Sequence, residues 1–347
     1  MFEYYYDYLG NLPNGKLKQR AYYLIHQGLS DISASFSVPK LDCNELSEIF
    51  TFVCLDHPEI FYASSFSFSY SSQADSVEFT PKYLFRKKDI SEHQKAISSR
   101  IQKLIRPMVE MDELGKEKYI HDFICQNVRY DKLKKEYSHE IIGPLTQSVG
   151  VCEGIAKTVK VLCDAVNLPC IIVFCHNNPD KKIKYRHAWN LVQLGKDYYH
   201  LDATFDNTLT AKKEIRYDYF NLDESSIFRD HEPLVWNAPE CGSRSEFYYI
   251  KNKLSFTKLE DVRNRAAQSI RKNRQMTFHW RGGYLTKEVL NDICCLLEEE
   301  AKKKKKNPIL SLNWPQAVFQ VQFEDAVSST EVKTEVSIDD ANEGEKD

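Results

Sequence analysis

The stretch Arg186–Phe205, RHAWNLVQLGKDYYHLDATF, constrains the fold of this chain more than any other. Two runs rich in apolar, aromatic and β-branched residues flank Gly195-Lys196, and a two-residue type II′ turn takes glycine first. Such a turn pairs Leu194 with Asp197 and, counting outward, sets Trp189 opposite Asp202 and His187 opposite Thr204. Paired residues share a face, and so do alternate residues along a strand. One face then carries Ala188, Val192, Leu194, Tyr199, Leu201 and Ala203, with Asn190 as its polar exception, and reads as core. The other carries His187, Trp189, Gln193, His200, Asp202 and Thr204, and reads as too polar for a core. On that second face His187 and Asp202 are diagonal neighbours. Their Cβ atoms would lie about 7–8 Å apart, a gap that an imidazole–carboxylate hydrogen bond closes. His200 shares the face, so the register alone leaves both histidines open. A change of one residue in the turn would flip one strand and undo the arrangement.

A second constraint is GVCEGIAKTVKVL, from Gly150 to Leu162. Ile155, Val159, Leu162 and Val166 recur at helical spacing and form one buried stripe, which Asn167-Leu168-Pro169 terminates. Cys152 stands at the start of that helix, where unpaired N–H groups and the helix dipole favour a thiolate. Gly150 and Gly154 suggest backbone room around it. On position alone, such a cysteine is more often a small buried apolar residue. A nucleophile needs a base and a group that orients the base, and the hairpin offers candidates for both.

The remainder reads as mixed α and β. Residues 1–95 form an N-terminal α+β extension, with helices over 16–28 and 44–55, a strand in SFSFSYSS and a partner strand in VEFTPKYLF broken at Pro81. Residues 96–238 form the central core, with helices before Pro107 and over DELGKEKYIHDFICQNVRY, then CIIVF as a buried strand, and YDYFNLDESSIFRDHEP closing the unit. Residues 239–323 form a small α+β domain, with strands in EFYYI, LSF, MTFHW and AVFQVQF and helices over 258–273 and 286–300. Residues 324–347 are acidic, lack aromatics and read as a disordered tail.

Composition narrows the function classes. A net charge of −3 provides no global basic field for nucleic acid or an anionic membrane, and the basic stretch Arg263–Arg274 reads as a solvated helix face. The acidic start, MFEYYYDYLG, has no signal-peptide pattern, and no apolar run approaches a membrane span. Ten cysteines are therefore expected as free thiols in a cytoplasmic setting. Cys170, Cys175 and His176, like Cys294-Cys295, lack the spacing of a metal site. No cofactor and no metal is expected.

The blocks GVCEGIAKTVKVLCDAVNLPC, RHAWNLVQLGKDYYHLDATFD and YFNLDESSIFRDH resemble the transglutaminase-like superfamily, and bacterial transglutaminase-core proteins in particular. They occur in that family's order and cover about residues 120–235. The resemblance implies an α+β, papain-like fold, with a cysteine helix packed on an antiparallel sheet. It implies Cys152 as nucleophile, His187 as base and Asp202 as orienting group, and it decides against His200. It also implies the Cys152 N–H as oxyanion donor, with Gln147 and Trp189 as candidates for a second donor or a wall of the site. Arg186, where a small residue is common, departs from the pattern and alters access. The expected activity is acyl transfer through a thioester on a peptide or protein carrying a glutamine or other amide. Hydrolysis or deamidation is favoured over cross-linking, because water needs no second binding site. The alternative is a non-catalytic peptide-binding module on the same fold.

Overall fold

A computed structural model describes residues 2–69, 75–181, 183, 186–210 and 214–326. They form two compact units. One holds the residues up to Arg216 together with Glu232–Glu240, and the other holds Tyr217–His231 together with the residues from Cys241 on. Of the expected domains 1–95 and 96–238, the first and the residues up to 216 of the second share the first unit, whereas most of YDYFNLDESSIFRDHEP belongs to the second.

The first unit opens with helices α1 (Tyr4–Gly10) and α2 (Gly15–Ser30), strand β1 (Phe36–Pro39) and helix α3 (Cys43–Asp56). A capping box between Asp42 and Glu45 starts α3, and the buried Asp56 at its end accepts the Tyr5 and Tyr6 N–H groups and the Tyr22 hydroxyl. Strands β2 (Ala63–Ser69) and β3 (Ser76–Tyr83) complete a small antiparallel sheet of order β1-β3-β2. Pro81 does not break β3 as expected. It pairs with Phe66 of β2 beyond the end of the β1 ladder, where β3 has a strand neighbour on one side only. Tyr70 of SFSFSYSS lies outside the described residues.

Helices α4 (Lys87–Ile105) and α5 (Glu113–Asn127) follow, the latter capped by the Asp112 carboxylate on the Gly115 N–H. Short parallel strands β4 (Arg129–Tyr130) and β5 (Val149–Gly150) then lead into α6 (Cys152–Ala165). Strands β6 (Cys170–Phe174), β7 (Ala188–Leu194) and β8 (Asp197–Leu201) form an antiparallel array with β7 between the other two. Gly195 has φ +60° and Lys196 is not among the residues of positive φ, as a type II′ turn requires. Leu194 pairs with Asp197, as the turn dictates, but the ladder ends at Asn190–Leu201. The residues after Leu201 leave the sheet, and Ala203–Leu209 form helix α7 instead of continuing the strand.

Both faces of β7 are buried, which corrects the division into a core face and a polar face. Asn190 is accommodated by donating to the Ala156 carbonyl of α6 at 3.0 Å. On the opposite face Trp189 and His200 are both 1% exposed, and the indole N–H donates to His200 Nδ1 at 2.9 Å. Internal pairing satisfies those polar atoms without water, so a face that looks polar in sequence can be sealed.

The second unit contains β9 (Phe220–Leu222), α8 (Glu224–Ile227), α9 (Tyr248–Lys251), β10 (Ser255–Phe256), α10 (Leu259–Arg271), β11 (Met276–Trp280), α11 (Lys287–Lys302), β12 (Lys306–Asn313) and β13 (Val318–Asp325). The last four strands form a sheet of order β10-β11-β13-β12, parallel only between β10 and β11. Val262 and Ala266 of α10 and Ile293 and Leu297 of α11 pack with Phe278 and Phe319 of that sheet. EFYYI, expected as a strand, supplies α9, and β12 went unread because Pro308 interrupts its pattern. Strand β13 takes in Glu324 and Asp325, the first residues of the expected tail, and that expectation from residue 327 on lies outside the described residues.

Candidate active site

Cys152 is the first residue of α6. Val151 before it is extended (φ −92°, ψ 175°), and its N–H donates to the Ser138 carbonyl at 3.0 Å. Valine has no side-chain oxygen, so the helix start has no side-chain cap, and its N–H groups keep their bias towards negative charge. The flanking glycines serve close packing rather than room around the thiol. A Cβ on Gly154 would lie 2.2 Å from the Ser138 carbonyl oxygen, and one on Gly150 would lie 2.8 Å from Pro144. The Cys152 thiol is half-buried, and it lies close enough to the His187 imidazole to favour that ring's charged form.

His187 immediately precedes β7, and its carbonyl accepts the Cys175 N–H at 3.0 Å. Its Nε2 lies 2.6 Å from Asp202 Oδ2. Asp202 is the N-cap of α7: its Oδ1 accepts the N–H groups of Thr204 at 2.8 Å and Phe205 at 3.0 Å. One carboxylate oxygen therefore fixes the helix and the other fixes the histidine. The Asp202 side chain is fully buried, whereas that of His187 is 18% exposed, so the imidazole reaches solvent and its partner does not. Burial opposes a charge on His187, but Asp202 foremost, and Cys152 with it, outweigh that and hold the imidazole well above its ordinary pKa. That balance favours the imidazolium form of His187.

Trp189 stacks against His187 with ring centroids 5.8 Å apart, and Phe205 lies 4.9 Å from the same ring. The indole N–H is engaged by His200. His200 is thereby occupied through Nδ1, and His187 is the histidine paired with Asp202. Gln147 is exposed, and its amide lies 3.4 Å from the Thr146 hydroxyl. Glu153, next to the cysteine, is tied to Lys157 at 2.9 Å, and Lys157 reaches Glu140 at 2.6 Å. Burial pushes Glu153 up, but Lys157 and His139 draw it down to about 2, so its charge is permanent and paired.

Sequence reading missed a second set of the same residue types. His121 of α5 lies 3.1 Å through Nε2 from Asp206 Oδ2 of α7, and Cys125 Sγ lies 3.6 Å from the same nitrogen. His121 and Asp206 are both fully buried. Asn207 donates to the carbonyls of Ile124 and Val128, so two consecutive residues bolt α7 to α5. The signal available in sequence was His121 and Cys125 four apart on one helix face.

Elsewhere in this unit His26, His57 and Glu59 come close enough to share a cation. The two imidazoles stack 3.8 Å apart at 14°, and lone pairs in nearly parallel planes do not converge on one ion. Cys170 accepts from Asn190 at 3.4 Å, and all ten cysteines are free.

Residues 102–203 match the family model of the transglutaminase-like superfamily. No curated protein matches the chain. Among solved structures, a TGase shows 14% identity and a TM-score of 0.30, with 54% of each chain covered. A protein from Cytophaga hutchinsonii, described as a candidate cysteine protease, shows 15% identity and a TM-score of 0.26, covering 40% of this chain and 61% of its own. The chain thus spans between half and two thirds of these structures, and superpositions this loose carry no argument about activity.

Proposed function

We propose that the chain is a cysteine-dependent acyltransferase working through a thioester, in keeping with the match of residues 102–203 to the family model of the transglutaminase-like superfamily. Cys152 is the nucleophile, His187 the acid–base group and Asp202 the group that orients it. The observation that carries this reading is the 2.6 Å His187–Asp202 bond on an imidazole whose charge a nearby helix-start thiol also favours.

The Cys152 thiolate attacks the carbon of a carboxamide, and a C–S bond forms as negative charge moves onto the carbonyl oxygen. The Cys152 N–H, at the uncapped start of α6, receives that charge. Collapse expels the nitrogen, which takes its proton from His187 and leaves as ammonia or an amine. Water then gives a proton to His187, attacks the thioester and releases the acid and the thiol. Trp189 and Phe205 hold the imidazole ring in place while the proton changes hands. Hydrolysis of a peptide or deamidation of a glutamine is the favoured outcome, because water needs no site of its own. Ten free cysteines fit a reducing, cytoplasmic setting, and no described helix is long and apolar enough to cross a membrane.

The test is to incubate the protein with a library of amide-bearing peptides, quench in acid and weigh the intact chain. An adduct equal to a peptide's acyl part on Cys152, absent from Cys152→Ala, is expected. Non-covalent peptide binding with no adduct and no turnover would replace this reading with that of a binding module.

A further inference from the structure

The loop that borders the nucleophile strand is built to expose an unusual surface. Residues 129–135, RYDKLKK, run beside the strand that leads into Cys152: Tyr130 pairs with Gly150, and the Asp131 N–H donates to the Gly150 carbonyl at 3.0 Å. The buried Asp131 carboxylate ties the loop down, accepting the N–H groups of Leu133 at 3.1 Å and Lys135 at 3.2 Å and the Ser138 hydroxyl. Lys134 takes a left-handed backbone at φ 48°, a conformation that disfavours side chains other than glycine, asparagine and aspartate. All this order holds Leu133 outward, 76% exposed, among the exposed Arg129, Lys132 and Lys135. Tyr130 is also exposed, and Asp131, the acidic residue within the loop, faces inward. The loop thus presents one large apolar side chain with three exposed basic ones beside the strand that leads into Cys152.

We propose that residues 129–135 form the acyl-donor recognition surface, taking a peptide segment in which an apolar side chain is flanked by carboxylates. The inference rests on the acyl-transfer reading and names its substrate class. Leu133 meets the apolar side chain, while Arg129, Lys132 and Lys135 attract the acidic flanks. Exposed charges add little affinity but steer encounter and discriminate by sign.

Two peptidyl chloromethyl ketones test this, identical except that a leucine stands between glutamates in one and between lysines in the other. Each alkylates a thiolate with loss of chloride, and the rate at Cys152 is read by mass and divided by the rate with iodoacetamide, which has no flanks. The acidic probe is expected to lead by about tenfold at low salt, and added salt should shrink that lead. Lys132→Glu combined with Lys135→Glu should reverse the preference, and Leu133→Ala should slow both probes alike. Equal ratios in the native protein, or a preference that survives charge reversal, would overturn the proposal. If iodoacetamide itself fails to single out Cys152, the acyl-transfer reading falls and takes this surface with it.

Discussion

Two cysteine–histidine–aspartate sets share the short helix α7, one turn apart, and they differ in everything but residue type. Asp202, its N-cap, pairs with His187 near Cys152. Asp206, four residues on, pairs with His121 beside Cys125. The first histidine reaches solvent and its thiol opens a helix, whereas the second is sealed and its thiol sits inside α5. Composition of a site therefore does not decide its chemistry. Access and a helix start make one set a candidate for catalysis, and burial makes the other a clamp that holds the first set's aspartate in place.

Mutation of the two sets should separate them by kind of effect. His187→Ala and Asp202→Asn are expected to lower amide turnover by about 10⁴-fold, the second by presenting the wrong tautomer, while thermal unfolding moves little for His187→Ala. Parallel losses from His121→Gln at unchanged stability would merge the two sets. Asp206→Ala leaves the buried His121 with Asp122 as its remaining carboxylate, 3.3 Å away, and should cost about 3 kcal/mol of stability, measurable as a shifted urea midpoint. A shift below about 1 kcal/mol would remove the clamp from the comparison.

The pH dependence of that clamp has a definite sign. Burial works against charge on His121, but Cys125, Asp122 and Asp206 together raise its pKa well above the ordinary value. The stability this contributes is complete below the unfolded value of about 6.5 and is lost as pH rises through the folded value. The midpoint difference between the native protein and His121→Gln should therefore narrow from pH 6 towards pH 9, and a gap that widens would reverse the assignment. The smallest expected effect is that of Gln147→Ala, within about twofold in turnover, as for an exposed side chain with one weak neighbour. A loss of a hundredfold would make Gln147 the second oxyanion donor after all.

The site was legible where local rules act without tertiary context. The glycine-first turn set the pairing from Leu194–Asp197 to Asn190–Leu201, and the apolar stripe set the helix behind Cys152. The His187–Asp202 contact was expected across a strand pair that does not extend so far. It arises because Asp202 leaves the sheet to cap α7, a role that aspartate before a helix favours and that the β-branched and aromatic residues of ATF obscured. Helix α7 itself, the His121–Asp206 clamp and the 129–135 loop were not legible, because each depends on partners distant in the chain. The indole bond to His200 hid for the same reason, and so a buried face read as a polar one.

Alkylation of the intact protein with iodoacetamide at pH 6, mapped to each cysteine, compares the two sets directly. Cys152 is expected to react at least a hundredfold faster than Cys125, with the advantage lost in His187→Ala and kept in His121→Gln. Equal labelling of the two thiols, or a Cys152 rate indifferent to His187, would contradict the catalytic assignment at its root.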